Sequence, residues 1–226
     1  MTNQEPLELP QAIEEEGVIK FNLFFSHASP IGLESIAELN AWRQILHRLG
    51  LTGRDPFRYQ GLAYGNVSQR TSANAFIVSG TQTGAKEHLS TQDYCIVTDF
   101  NLEKNCVYAK GPIEPSSEAL THGSIYAANR QITCVLHAHS PSIWRNASRL
   151  GISQTSPSIA YGTPEMGKAV EQAAKNLEYG IIAMGGHEDG ILAFAGTLCR
   201  AGTELVRYLA KAEQLTQLDG GESEII

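Results

Sequence analysis

Cysteine, basic runs and long apolar stretches are all scarce in this chain of 226 residues. Its four cysteines are Cys95, Cys106, Cys134 and Cys199, and none forms a CxxC pair. With no signal-peptide pattern at the N-terminus, they read as reduced thiols and not as a disulfide framework. No apolar run reaches the roughly 18 residues that a membrane-spanning helix needs. Lys and Arg number 17 against 24 Asp and Glu, for a formal net charge of −7. Without a basic patch, nucleic acid or an anionic membrane is not expected as the main partner. A small anionic ligand is a different matter, because it needs only a local pocket. The chain is expected to be soluble and cytoplasmic.

What is present is a globular composition, 42% hydrophobic and 18% charged, on a chain long enough to bury a substantial core. Residues 1–17 are acidic and contain proline, so a flexible terminal segment is expected there, followed by one α/β domain over 18–226. "GVIKFNLFF" suggests a short strand. Between Ile31 and Leu49, apolar residues recur at helical spacing and Gly50 offers a C-cap. The segments "FRYQGLAYGNVSQR", "AFIVSG", "DYCIVTDF" and "NCVYAKG" read as strands. "PSSEALTHGSIYAANR" reads as a helix capped by Ser116 or Ser117. "QITCVLHAHS" is a strand that Pro141 ends. "TPEMGKAVEQAAKNL" is a helix with Thr163 as N-cap and Pro164 at its first position. "YGIIAMGGHEDGILAF" holds two strands around a turn, and a last helix covers "TLCRAGTELVRYLAKAEQLTQL".

The stretch "CVLHAHSP" carries two of the seven histidines. On a strand, residues i and i+2 share a face, so His137 and His139 would converge on one object. A third histidine, His187, sits among glycines in "GGHEDGIL", after an apolar strand as His137 does. Three imidazoles of this kind suit a catalytic zinc with one open position. The pair alone reads more simply as ordinary surface or core histidines, and it is the third histidine that shifts the balance. Glu118 opens the helix before the His-x-His strand, where it is placed to ligate an ion or act as a base. It would also simply favour the helix N-terminus. Three further segments, "GNVSQR", "SGTQTG" and "PSSE", combine glycines with small hydrogen-bonding side chains. Each is an ordinary turn or part of an anion site at free backbone N–H groups.

Taken in order, "GNVSQR", "SGTQTG", "PSSEALTH", "VLHAHSP" and "GGHEDGIL" make the chain, from about Trp42 to Leu215, resemble the class II aldolase/adducin family. The 19 residues from Glu118 to His137 are a spacing similar to that in the family's aldolases. The resemblance implies a three-layer α/β/α domain around a mostly antiparallel sheet, assembled as a homotetramer with sites at subunit interfaces. It assigns His137, His139 and His187 as zinc ligands, and Glu118 as a fourth ligand or catalytic acid/base. It assigns Gly65, Asn66, Thr83, Gly84, Ser116 and Ser117 to a substrate phosphate. Two residues, Glu188 and Asp189, stand where the family has a His-Gly turn, and no counterpart is assigned to them. Tyr161 is available nearby without a carried-over role.

The activity so implied is zinc-dependent aldehyde-lyase chemistry: retro-aldol cleavage of a hydroxy-ketone, with a sugar phosphate as substrate, through a metal-stabilised enediolate. The alternatives are dehydration, epimerisation or decarboxylation in the same family, or a non-catalytic adducin-like binding module. Another divalent transition metal would also suit three imidazoles.

Overall fold

The computed structural model describes residues 18–223, so the N-terminal segment 1–17 lies outside the described residues. The strands are β1 (Asn22–His27), β2 (Gly53–Arg54), β3 (Ala63–Tyr64), β4 (Asn66–Arg70), β5 (Phe76–Ser79) and β6 (Tyr94–Asn101). They continue as β7 (Cys106–Gly111), β8 (Cys134–His139), β9 (Ser153–Gln154), β10 (Gly180–Ala183) and β11 (Gly190–Ala195). The helices are α1 (Ala37–Arg48), α2 (Ala119–Ala128), α3 (Pro141–Arg145), α4 (Pro164–Ala174) and α5 (Leu198–Ser223).

A nine-stranded sheet runs in the order β1-β7-β6-β5-β4-β8-β11-β10-β9. Its inner pairings are antiparallel, while both edge strands, β1 and β9, pair parallel. Alternation along the strands sends side chains to two separate cores. Leu136 and Ala138 of β8 join Leu39 of α1, Ile143 of α3 and Leu205 of α5. Val135 of β8 and Leu192 of β11 join Leu120 of α2 and Met166 of α4 on the other face. Helices therefore cover both faces of the sheet, the expected three layers. Among the described residues, no helix is long and apolar enough to cross a membrane.

Several local expectations need correction. "FRYQG" is not a strand: Tyr59, Gln60 and Gly61 have φ of 50°, 56° and 71°, a left-handed run that breaks extended pairing. The helix after Pro115 begins only at Ala119. Glu118 occupies its N-cap position without a capping side-chain bond, and Ser116 Oγ accepts instead from the Glu118 N–H at 3.3 Å. Pro141 does more than end β8. It stands at the first turn of the short α3, with Ser140 capping Ile143 N–H. Thr163 caps α4 as expected, accepting from Met166 N–H at 3.2 Å.

Candidate metal centre

Strand parity places the histidines. Val135, His137 and His139 alternate with Leu136 and Ala138, so both histidines face the α2 side of β8. In register, His137 lies opposite Asn66 of β4 and Leu192 of β11, and His139 opposite Gly190. The β10–β11 turn then brings in His187. Its N–H donates to Met184 C=O at 3.2 Å, and Gly190 N–H donates to His187 C=O at 2.9 Å. The glycines of the turn are needed for close approach. A Cβ at Gly186 would stand 1.9 Å from the Ile159 carbonyl oxygen.

One nitrogen from each of His137, His139 and His187 lies within 4.8 Å of the others. All three rings are buried, at 0%, 2% and 3% exposure. Glu118 is buried too, with Oε1 4.0 Å from His187 Nδ1. Burial, reinforced by the neighbouring His187, holds the His137 and His139 pKa values well below the usual imidazole range. Both rings are therefore neutral and offer lone pairs. A tetrahedral zinc with bonds of about 2.1 Å spaces its nitrogens about 3.4 Å apart, within the 4.8 Å that bounds these three nitrogens. The neutral His137 and His139, with His187 and a buried carboxylate beside them, fit a divalent transition metal, and the dication would offset the burial of the carboxylate's charge.

Aromatic rings wall the cluster. Tyr59 meets His139 edge-on with centroids 4.6 Å apart, Tyr64 lies 5.2 Å from the same ring, and Tyr161 stacks on His187 at 4.5 Å. Lys20 Nζ lies 3.7 Å over the Tyr161 ring centroid and donates to the Tyr161 carbonyl at 3.1 Å.

The segments read as anion-binding turns also come together. Gly65, Asn66, Thr83, Gly84, Ser116 and Ser117 line one small polar recess. A bridge between Gly80 and Pro115 ties two of the loops, and Ser116 N–H donates to Ser79 C=O at 3.2 Å. Gly65 has φ of 79°, and a Cβ at Gly84 would lie 2.2 Å from the Tyr64 carbonyl oxygen. Asn66 belongs to this recess and is also the register partner of His137, so recess and histidine cluster adjoin.

Sequence reasoning missed what holds these parts. Arg43 of α1 is 2% exposed and donates to the carbonyls of Glu87 (2.8 Å), Gly84 (2.9 Å) and Thr83 (3.1 Å). Its cation thus sits behind the recess. The available signal was an arginine midway between Leu39 and Leu46 on the buried side of an amphipathic helix. Arg70 turns the other way, donating to the carbonyls of Tyr126 and Asn129. Asp189, which had no assigned role, bonds Arg58 and Tyr59.

A family model described as "Class II Aldolase and Adducin N-terminal domain" matches residues 56–214. The methylthioribulose-1-phosphate dehydratase of Xanthomonas oryzae pv. oryzae (strain MAFF 311018) is 35% identical over 99 residues. That match spans 39% of this chain and 40% of the relative. Among solved structures, a sugar-phosphate aldolase from Thermotoga maritima superposes with a TM-score of 0.64 at 15% identity, covering 83% of this chain and 95% of that one. An L-fuculose 1-phosphate aldolase superposes with a TM-score of 0.61 at 18% identity, covering 85% and 89%. At such identities the superpositions speak for the fold.

Proposed function

The chain belongs to the class II aldolase and adducin family, and from that premise we propose that it is a divalent-metal-dependent lyase acting on a phosphorylated hydroxy-ketone. The observation that carries this reading is the convergence of His137, His139 and His187, all buried, beside the buried Glu118 and next to a recess of small hydrogen-bonding groups. A binding module has no need of a carboxylate buried beside three converging imidazoles.

His137, His139 and His187 would hold the ion, with Glu118 as a further ligand or, when released, as a proton carrier. When bound, the ion supplies stabilisation of the negative charge that develops on the substrate's oxygens. The polar recess binds the phosphate through Gly65, Asn66, Thr83, Gly84, Ser116 and Ser117, with Arg43 lending positive potential from behind. This orients the carbonyl end of the substrate toward the histidines. In carbon–carbon cleavage, Glu118 takes the hydroxyl proton, an aldehyde departs and the electron pair of the broken bond stays on the ketone fragment. Glu118 Oε1 then delivers a proton to that carbon. The Tyr59, Tyr64 and Tyr161 rings restrict water around the reacting atoms. Zinc as the ion, a cytoplasmic setting and a homotetramer are carried by the motif resemblance and belong to the same proposal.

A second reading is dehydration, favoured by the 35% identity to a methylthioribulose-1-phosphate dehydratase. There Glu118 would take a proton from carbon and pass it to the departing hydroxyl, which leaves as water. Incubating the zinc-loaded protein with phosphorylated and unphosphorylated hydroxy-ketones separates the two. Cleavage gives two carbonyl fragments, whereas dehydration gives one skeleton lighter by a water. Glu118→Gln should retain the metal and lose about 10²–10⁴-fold in turnover. Unchanged turnover would remove Glu118 from the chemistry, and no bound metal with no conversion of any substrate would leave the scaffold reading.

A further inference from the structure

The loop between β2 and β3 reaches over the histidine cluster. Its base is closed by the pairing of Gly53 with Tyr64 and of Arg54 with Ala63. Its tip carries the left-handed run Tyr59–Gln60–Gly61. Two of these residues are not glycine, so the conformation persists only where surrounding contacts impose it. Two of those contacts converge on one carboxylate, alongside the bond from Arg54 Nε to the Gly61 carbonyl. Asp189 Oδ2 accepts from Tyr59 OH at 2.6 Å and from the Arg58 guanidinium. Asp189 is 1% exposed, so solvent does not compete for these bonds. Glu188 stands 3.5 Å from the same guanidinium, but its side chain is 67% exposed and its pull is screened.

The same carboxylate is fixed at its own root. Ser140 N–H donates to the Asp189 carbonyl at 2.9 Å, one residue beyond His139, and Asp189 itself is left-handed with φ of 62° two residues after His187. Asp189 thus joins the strand end of His139, the turn of His187 and the loop tip. The Tyr59 ring held by it stands edge-on to His139.

We propose that Asp189 and Tyr59 are positioning residues that clamp the 55–61 loop against His139, set the orientation of that ring and close one side of the metal pocket. This rests on the metal reading above. The clamp retards escape of the ion and fixes the coordination geometry.

The test measures zinc release from the full-length, zinc-loaded protein into excess chromogenic chelator. Asp189→Asn is the informative change, because asparagine tolerates the left-handed conformation and only the charge is lost. Tyr59→Phe keeps the ring and removes its hydroxyl, which covers the case in which Asp189→Asn folds poorly. Both variants should release zinc about 10-fold faster or more, as for other groups that orient metal ligands. Glu188→Gln should stay near the wild-type rate. The visible spectrum of the cobalt(II)-loaded protein should change in Tyr59→Phe, a signature that mere loss of stability would not produce. If the wild type holds zinc and the variants release it at the same rate with the same cobalt spectrum, the clamp is refuted and the metal site stands. A wild type that takes up neither ion refutes both.

Discussion

His122 lies one helical turn beyond Glu118, with Nδ1 2.6 Å from Ser68 Oγ, which meets Tyr126 Oη at 2.7 Å. The ring is fully buried, and among the described residues its Nε2 has no hydrogen-bond partner. A proton there would add a charge that nothing solvates, and burial pushes the pKa down to about 3. An exposed histidine in the unfolded chain titrates near 6.5. Between those values the unfolded state binds the extra proton and the folded state does not. Stability from this group is therefore complete above about pH 6.5 and declines as the pH falls toward 3. The decline has a slope of about 1.4 kcal/mol per pH unit in mid-window. His122→Asn retains a partner for Ser68 but does not titrate. It should be less stable than wild type at neutral pH, and the gap should narrow on acidification. Urea titrations at several pH values measure this, and parallel pH dependences would contradict it.

The β10–β11 turn shows the same economy at the level of an element. It must lift His187 out of the sheet and lie flat on the chain at Thr155–Ile159, and Gly185 and Gly186 allow it. A Cβ at Gly186 meets backbone at 1.9 Å, which cannot swing aside as a side chain would. Gly186→Ala should cost about 1–3 kcal/mol, a fall in Tm of roughly 2–4 °C per kcal/mol. It should also weaken zinc binding, because His187 moves with the turn. Unaltered zinc affinity, measured by chelator competition, would show that the turn does not govern His187. This turn was legible in the sequence because its signals are local: glycines between apolar runs. So were α4, through Thr163 and Pro164, and the shared face of His137 and His139, through strand parity. The 57–61 loop reads as extended because the Asp189 carboxylate that its Tyr59 bonds lies 130 residues away. Arg43 escaped notice for the same reason, since its carbonyl partners lie 40 to 44 residues on. Sequence periodicity reports which face a residue takes, and carries no information on a distant backbone carbonyl.

At the scale of the whole molecule, the histidine cluster joins parts that are far apart in the chain. His137 and His139 belong to a central strand, His187 to a turn at the sheet's end, and Glu118 to the start of the helix covering that face. An ion held by all of them stabilises the folded chain in proportion to the logarithm of its free concentration. At 100 times Kd this is about 2.7 kcal/mol, and each further tenfold adds about 1.4 kcal/mol. For a chain of this size the first figure corresponds to a rise in Tm of roughly 5–11 °C. Adding zinc to metal-free protein should produce such a rise, and a chelator should reverse it. The choice of control decides what the experiment means. His137 is 0% exposed inside β8, so truncating it opens a cavity whose cost would mask a lost metal response. His187 is buried as well, at 3% exposure, but it sits on a turn outside the strands, so the cavity left by His187→Ala does not interrupt the sheet. That variant should unfold cooperatively, below the metal-free wild type by the cost of the cavity, and respond little to zinc. An equal zinc-induced rise in His187→Ala and wild type would mean that the ion binds elsewhere.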